Sequence, residues 1–253
     1  MIPIRARTVL ATLLAGGCLV ALPAPPATAG SDARGPTYAD GATATAQRAV
    51  VLDGVRVRLR PGTEQVVTVN HTRGHRARVT WWRLKDGGWV ERFQSTDGRI
   101  GYGGLVPGKK RRQGTGTTPL GTYRLPWAFG FQEPRDSWRL RYRGVRKGDY
   151  WVQDNASPHY NRYRNRAQGG FRWWLPSSHP NSSERLTDYR RQYDLSVVID
   201  YNRRQVRHRG AGIFLHMNGR GATAGCVSAP RWFIQKVMRA LDPDRVPVIA
   251  VGR

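Results

Sequence analysis

Residues 212–241 read GIFLHMNGRGATAGCVSAPRWFIQKVMRAL, and the order of patterns in this stretch decides the fold. The opening alternates, so Phe214 and His216 fall on one face of a strand, Ile213 and Leu215 on the other. The end carries Phe233, Val237, Ala240 and Leu241 at helical spacing and stops before Asp242-Pro243. Small residues surround Cys226 in between, with Ser228 suited to a helix N-cap and Pro230 to a first turn. The expectation is a strand ending at His216, a short loop carrying Cys226, and a helix. A thiol just before a helix N-terminus feels the positive end of the dipole, which favours thiolate. Gly225 permits close backbone approach, making the N–H groups of Gly225 and Cys226 a candidate oxyanion hole. Histidine and cysteine so placed have the chemistry of acyl transfer through a thioester. An inert, buried cysteine is the competing reading.

Outward from this stretch the chain is rich in β signals. VRVRLR, QVVTVN, RARVTWWRL and GWVERF alternate, and KDGG marks a hairpin between the last two. A glycine-rich stretch, residues 101–121, contains the cation run KKRR, and GTYRLPWAFG reads as a strand followed by a turn. Residues 135–194 are polar and aromatic without clear period, an excursion of the kind that covers a site. LSVVIDYN, GIFLHMN and the closing VPVIAVG are strongly β-like. The sequence predicts a mixed, mainly β fold, residues 49–253, with one good helix near its end.

The chain has two cysteines. Cys18 lies in the apolar run TVLATLLAGGCLVAL, which follows Arg5 and Arg7 and precedes Ala27-Thr28-Ala29. That order predicts a cleavable secretory signal over residues 1–29 and a flexible lead-in over 30–48. Pro23, Pro25 and Pro26 shorten the run below the roughly 20 residues of a membrane span, so no stable membrane insertion is expected after cleavage. Cleavage leaves Cys226 as a single thiol without an internal partner, and about 200 residues bury an adequate core without disulfides. The formal charge of +25 is almost all arginine. For a secreted protein such a field points to anionic cell-wall polymers rather than nucleic acid, and the base composition of the genome explains the arginine enrichment equally well. No metal-ligand cluster is visible, and nothing requires more than a monomer.

IFLHMNGRGATAGCVSAP together with GTGTTPLGTYRL resembles the L,D-transpeptidase catalytic domain, the YkuD-like family. There a T-P-x-G-x-Y/F segment precedes a strand-borne histidine and an [ST]-x-G-C nucleophile. GGWVERF…GRIGYGGL, YWVQDNASPHYNRY and YDLSVVIDYN are similar to a subgroup with T-A-G-C or T-E-G-C at the nucleophile. The resemblance spans most of Val79 to Val251. It implies a β-sandwich-like fold with a helix after the nucleophile. It also implies Cys226 as the acyl-accepting nucleophile, His216 as general base and the Met217 carbonyl as its orienting group. Gly225 and Cys226 would hold the oxyanion, with Arg231, Tyr160 and Asn161 as substrate contacts. The implied reaction transfers the acyl group of a peptidoglycan stem peptide to an amine, or to water in an L,D-carboxypeptidase, with no metal or organic cofactor. Two positions depart from the main branch. Ala224 stands where S-H-G-C has histidine, and Ser228 where a polar or basic residue is usual. A papain-like hydrolase fits poorly, since its cysteine precedes its histidine. A sortase needs a longer gap and a later arginine. A basic, non-catalytic wall-binding protein on the same fold is the remaining alternative.

Overall fold

The computed structural model describes residues 48–253; the expected signal segment and nearly all of the lead-in lie outside the described residues. β1 (Ala49–Leu52) and β2 (Val55–Arg58) form a hairpin about Asp53-Gly54, both at positive φ. Val55 and Val57 point inward while Arg56 and Arg58 face water. β3 (Gln65–Arg73), β4 (Arg76–Lys85) and β5 (Gly88–Arg99) follow as an antiparallel meander. The expected KDGG turn joins the last two through Asp86 and Gly87 at φ 50° and 79°, the left-handed pair that suits strand twist.

β6 (Leu105–Pro107) runs parallel to β7 (Thr118–Arg124), and β8 (Ala128–Gly130) parallel to β9 (Tyr142–Gly144). β10 (Asp149–Trp151), β11 (Tyr163–Asn165) and β12 (Glu184–Arg185) make a small separate sheet within the excursion. β13 (Leu195–Val198) and β14 (Phe214–Met217) pair antiparallel, and β15 (Val227–Ala229) lies parallel to β14. The helix α1 (Arg231–Ala240) then leads to β16 (Val248–Gly252), parallel to β3. The large mixed sheet has the order β6-β7-β16-β3-β4-β5-β15-β14-β13-β8-β9. Among the described residues the fold is mainly β with one α-helix, as the sequence predicts.

Alternation along β13 and β14 divides the interior. Leu195, Val197, Leu215 and Met217 join Val79 and Trp81 in a core closed by Phe233, Ile234, Val237 and Met238 of α1. Val198 and Phe214 face the other way, packing with Phe129, Trp151, Tyr193 and Cys226. α1 thus covers one face of these strands and the excursion the other. The helix start differs from expectation. Ser228 sits inside β15 and donates to Asn218 Oδ1 at 2.7 Å, and Pro230 occupies the N-cap position without a side-chain cap. The backbone of Val227 to Ala229 completes a ladder with β14, which displaces the helix past the residues that resemble a cap.

Candidate active site

In the β14–β15 ladder, Leu215 stands opposite Val227 and His216 opposite Ser228. One step earlier, the Phe214 N–H donates to Cys226 Sγ at 3.4 Å, and the thiol in turn donates to the Gly212 carbonyl at 3.4 Å. By period-2 alternation Phe214, His216 and Cys226 share the face covered by the excursion. The register places His216 diagonal to Cys226, at the next pair along the ladder on the same face. His216 Nδ1 lies 2.8 Å from the Met217 carbonyl oxygen. That contact assigns the ring proton to Nδ1 and leaves Nε2 as the free base. Both side chains line a cleft of about 820 Å³.

The electrostatics differ from the sequence expectation of a dipole-favoured thiolate. Burial pushes the Cys226 thiol up to about 12; Glu184 raises it further, opposed by the Phe214 N–H and by Arg111. β15 stands between the thiol and α1, and a helix dipole fades within one turn. Burial also takes His216 down to about 4, against the pull of the Met217 carbonyl. The resting pair is therefore neutral thiol and neutral imidazole. Chemistry at this site needs proton transfer during attack, not a standing ion pair.

Glu184, Arg111 and Tyr193, not anticipated as site residues, all act on the thiol. The Tyr193 hydroxyl donates to Glu184 Oε1, and its ring meets His216 edge-on at 5.3 Å. Gln153 Nε2 donates to Glu184 Oε2 at 3.2 Å. Burial raises Glu184 to about 7, partly offset by the bonds from Tyr193 and Gln153. Arg111 is buried at 5% exposure in the same cleft, while Lys109, Lys110 and Arg112 of its cation run are exposed. Nothing local in NSSERL, RRQYDL or KKRR distinguishes Glu184, Tyr193 and Arg111; only the fold brings them to Cys226.

The T-P-x-G segment has a mechanical role. Thr118 Oγ1, fully buried, accepts from the Gly101 N–H and donates to the Gly225 carbonyl, both at 2.8 Å. Thr223 holds the loop from its other side: its hydroxyl donates to the Cys226 carbonyl at 2.6 Å and accepts from the Gly225 N–H at 3.2 Å. Gly225 has φ 128°, and a Cβ there would lie 2.8 Å from both the Thr117 carbonyl and Arg111 Nη2, so glycine is required. Ala224 lines the cleft and is exposed.

The three expected substrate contacts lie elsewhere. Arg231 pairs with Asp194 at 2.8 Å, more than half exposed and away from the cleft lining. Tyr160 and Asn161 are buried behind the cleft. The Tyr160 hydroxyl accepts from the Gly210 N–H at 2.9 Å. Asn161 Oδ1 accepts from Trp151 Nε1 and Gly212 N, while its Nδ2 donates to the Tyr201 and Asn202 carbonyls. Both fix the Gly210–Gly212 backbone, whose last carbonyl accepts the hydrogen bond from the Cys226 thiol. Among the described residues no group of His, Cys, Asp and Glu is arranged to hold a metal ion, and no helix is long and apolar enough to cross a membrane.

Residues 64–249 match the family YkuD, described as the L,D-transpeptidase catalytic domain. No curated protein matches the chain. Among solved structures, the chain is similar to a mutant of the helical cell shape determining protein Pgp2 from Campylobacter jejuni. The two are 14% identical with a TM-score of 0.38, over 75% of this chain and 47% of that one. The chain thus spans about half the length of that relative.

Proposed function

Because the chain belongs to the YkuD family of L,D-transpeptidase catalytic domains, we propose that it is an exported cysteine acyltransferase acting on peptidoglycan stem peptides. One observation carries this reading: His216 and Cys226 share a face of adjacent strands in one cleft, the thiol fixed by backbone and the imidazole presented with Nε2 free. His216 Nε2 takes the thiol proton as Sγ attacks the L,D-amide carbonyl. The S–C bond forms and the carbonyl pair moves onto oxygen. Collapse breaks the C–N bond, and the imidazolium returns its proton to the leaving amine. A second stem amine then attacks the thioester and the thiol regains its proton; water in that place gives carboxypeptidase activity. The N-terminal Arg5, Arg7 and apolar run support export, and the +25 charge supports attachment to anionic wall polymers.

The test is intact mass spectrometry after incubation with a carbapenem. Wild type gains one adduct and Cys226→Ala gains none. A folded wild type that stays unmodified would instead support a binding protein on this fold. Tetrapeptide muropeptides then separate the acceptors, dimers marking an amine and released D-Ala marking water.

A further inference from the structure

Arg111 is a buried cation without an anion. Among the described residues it enters none of the ion pairs. Its Nε donates to the Thr117 carbonyl at 2.7 Å and its Nη1 to the Arg209 carbonyl at 3.4 Å, while the guanidinium lies 5.5 Å over the Tyr201 ring. Carbonyl dipoles and a ring face compensate a desolvated charge only in part, and buried charges are ordinarily paired. The unmatched group sits at the nucleophile. A Cβ on Gly210 would lie 1.7 Å from Nη1, and one on Gly225 2.8 Å from Nη2. The guanidinium therefore fills the space between the two backbone segments that flank Cys226, one contributing its chain neighbour and the other the Gly212 acceptor of its proton. Gly225 N–H is committed to Thr223 Oγ1, so one of the two expected oxyanion donors already has a partner.

We propose that Arg111 is the positioning charge of this site, stabilising negative charge on Cys226 Sγ and on the tetrahedral oxyanion formed at the acyl carbon. The proposal rests on Cys226 as the acyl-accepting nucleophile. It assigns the absent anion to the reaction itself: negative charge appears when Sγ gives its proton to His216 and moves to the carbonyl oxygen when the S–C bond forms. The field of Arg111 on the thiol acts in this direction, lowering it against burial. The other groups facing the thiol supply no positive charge at rest, since His216 and Tyr193 are neutral and Glu184 becomes an anion on ionising.

The test separates charge from fork geometry. Iodoacetamide alkylation of Cys226 is followed against pH, and carbapenem acylation at fixed pH, in wild type, Arg111→Gln and Arg111→Lys, with circular dichroism as the fold check. Arg111→Gln is expected to move the alkylation profile up by about one pH unit, as loss of a nearby opposite charge does. Its acylation is expected to fall about 100-fold, the scale of a lost oxyanion donor. Arg111→Lys keeps the charge but not the planar fork, so its alkylation profile stays near wild type while acylation falls at least tenfold. A folded Gln variant with an unmoved profile and unchanged acylation overturns the proposal. If Gln does not fold, a folded Lys variant whose profile moves by a full unit overturns it. Wild type that is alkylated but never acylated sinks the acyltransferase reading instead, and the profile shift then still decides the charge at Sγ.

Discussion

Glu184 and His216 flank Tyr193 and are perturbed in opposite senses, which fixes how stability depends on pH. Glu184 rises from 4.5 to about 7 and His216 falls from 6.5 to about 4, each because burial disfavours its charged form. Between pH 4.5 and 7 the folded protein holds a proton on Glu184 that the unfolded chain releases. That contribution is fully present below 4.5 and is lost as pH rises through 7. Between pH 6.5 and 4 the unfolded chain protonates a histidine that the folded protein keeps neutral. That contribution is fully present above 6.5 and is lost as pH falls through 4. Each shift spans about 2.5 units, which at about 1.4 kcal/mol per unit gives at most about 3.5 kcal/mol. In the window they share, from about 4.5 to 6.5, the two slopes are equal and opposite, and the pair contributes almost no net dependence.

Single substitutions expose each slope. In Glu184→Gln, stability relative to wild type should gain a component rising by about 2–3 kcal/mol from pH 4.5 to 7. In His216→Gln, it should gain one falling by a similar amount from pH 4 to 6.5. Urea unfolding followed by circular dichroism at half-unit intervals measures both as variant-minus-wild-type curves, which removes the titration of every other group. Curves that stay flat within about 1 kcal/mol across the window would refute the argument that burial sets these two protonation states. Glu184→Gln should also speed alkylation of Cys226 above pH 7, where the wild-type carboxylate opposes thiolate formation.

Thr118→Val leaves the buried Gly101 N–H and Gly225 carbonyl without this partner, so a loss of about 2–5 kcal/mol in urea unfolding is expected. A loss below about 0.5 kcal/mol would mean the hydroxyl does not hold the nucleophile loop. Asn161→Ala removes four hydrogen bonds, three of them buried, and should cost at least about 3 kcal/mol and slow acylation by releasing Gly212. Arg231→Ala breaks an exposed ion pair away from the cleft, so stability should stay within about 1 kcal/mol and the acylation rate unchanged; a slower rate would return Arg231 to the substrate.

The residues that were legible in the sequence are those whose signal is local. Alternation in FLHM separates the face of Phe214 and His216 from that of Leu215, and the core membership of these residues follows it. Asp86-Gly87 announces its hairpin because few residues accept positive φ. The helix cap was misread for an equally physical reason. Ser228 suits a cap by chemistry, but the sheet competes for its backbone and wins with a continuous ladder to β14. Glu184, Tyr193 and Arg111 carry no local signal, since their meaning comes from meeting Cys226 across separations that only topology closes. Tyr160 and Asn161, expected as substrate contacts, have their polar atoms engaged within the protein: Tyr160 with Gly210 and Gln113, Asn161 with Trp151, Gly212, Tyr201 and Asn202.

A resting site of neutral thiol and neutral imidazole also bears on how the thiol withstands oxidation. Oxidation of cysteine follows thiolate character and exposure, and Cys226 has little of either, at 7% exposure and pushed up to about 12. A thiol kept as a permanent ion pair with histidine would meet oxidants in its reactive form. On the proposed mechanism the anion is deferred until the carbonyl of a substrate is in place to receive it. The same burial that protects the thiol raises the barrier to forming the anion, so the site needs a free base in His216 Nε2 and a positive charge beside the nucleophile. The fold supplies the first through the Met217 carbonyl and the second through Arg111, whose charge is left unmatched at the position where the reaction develops its own.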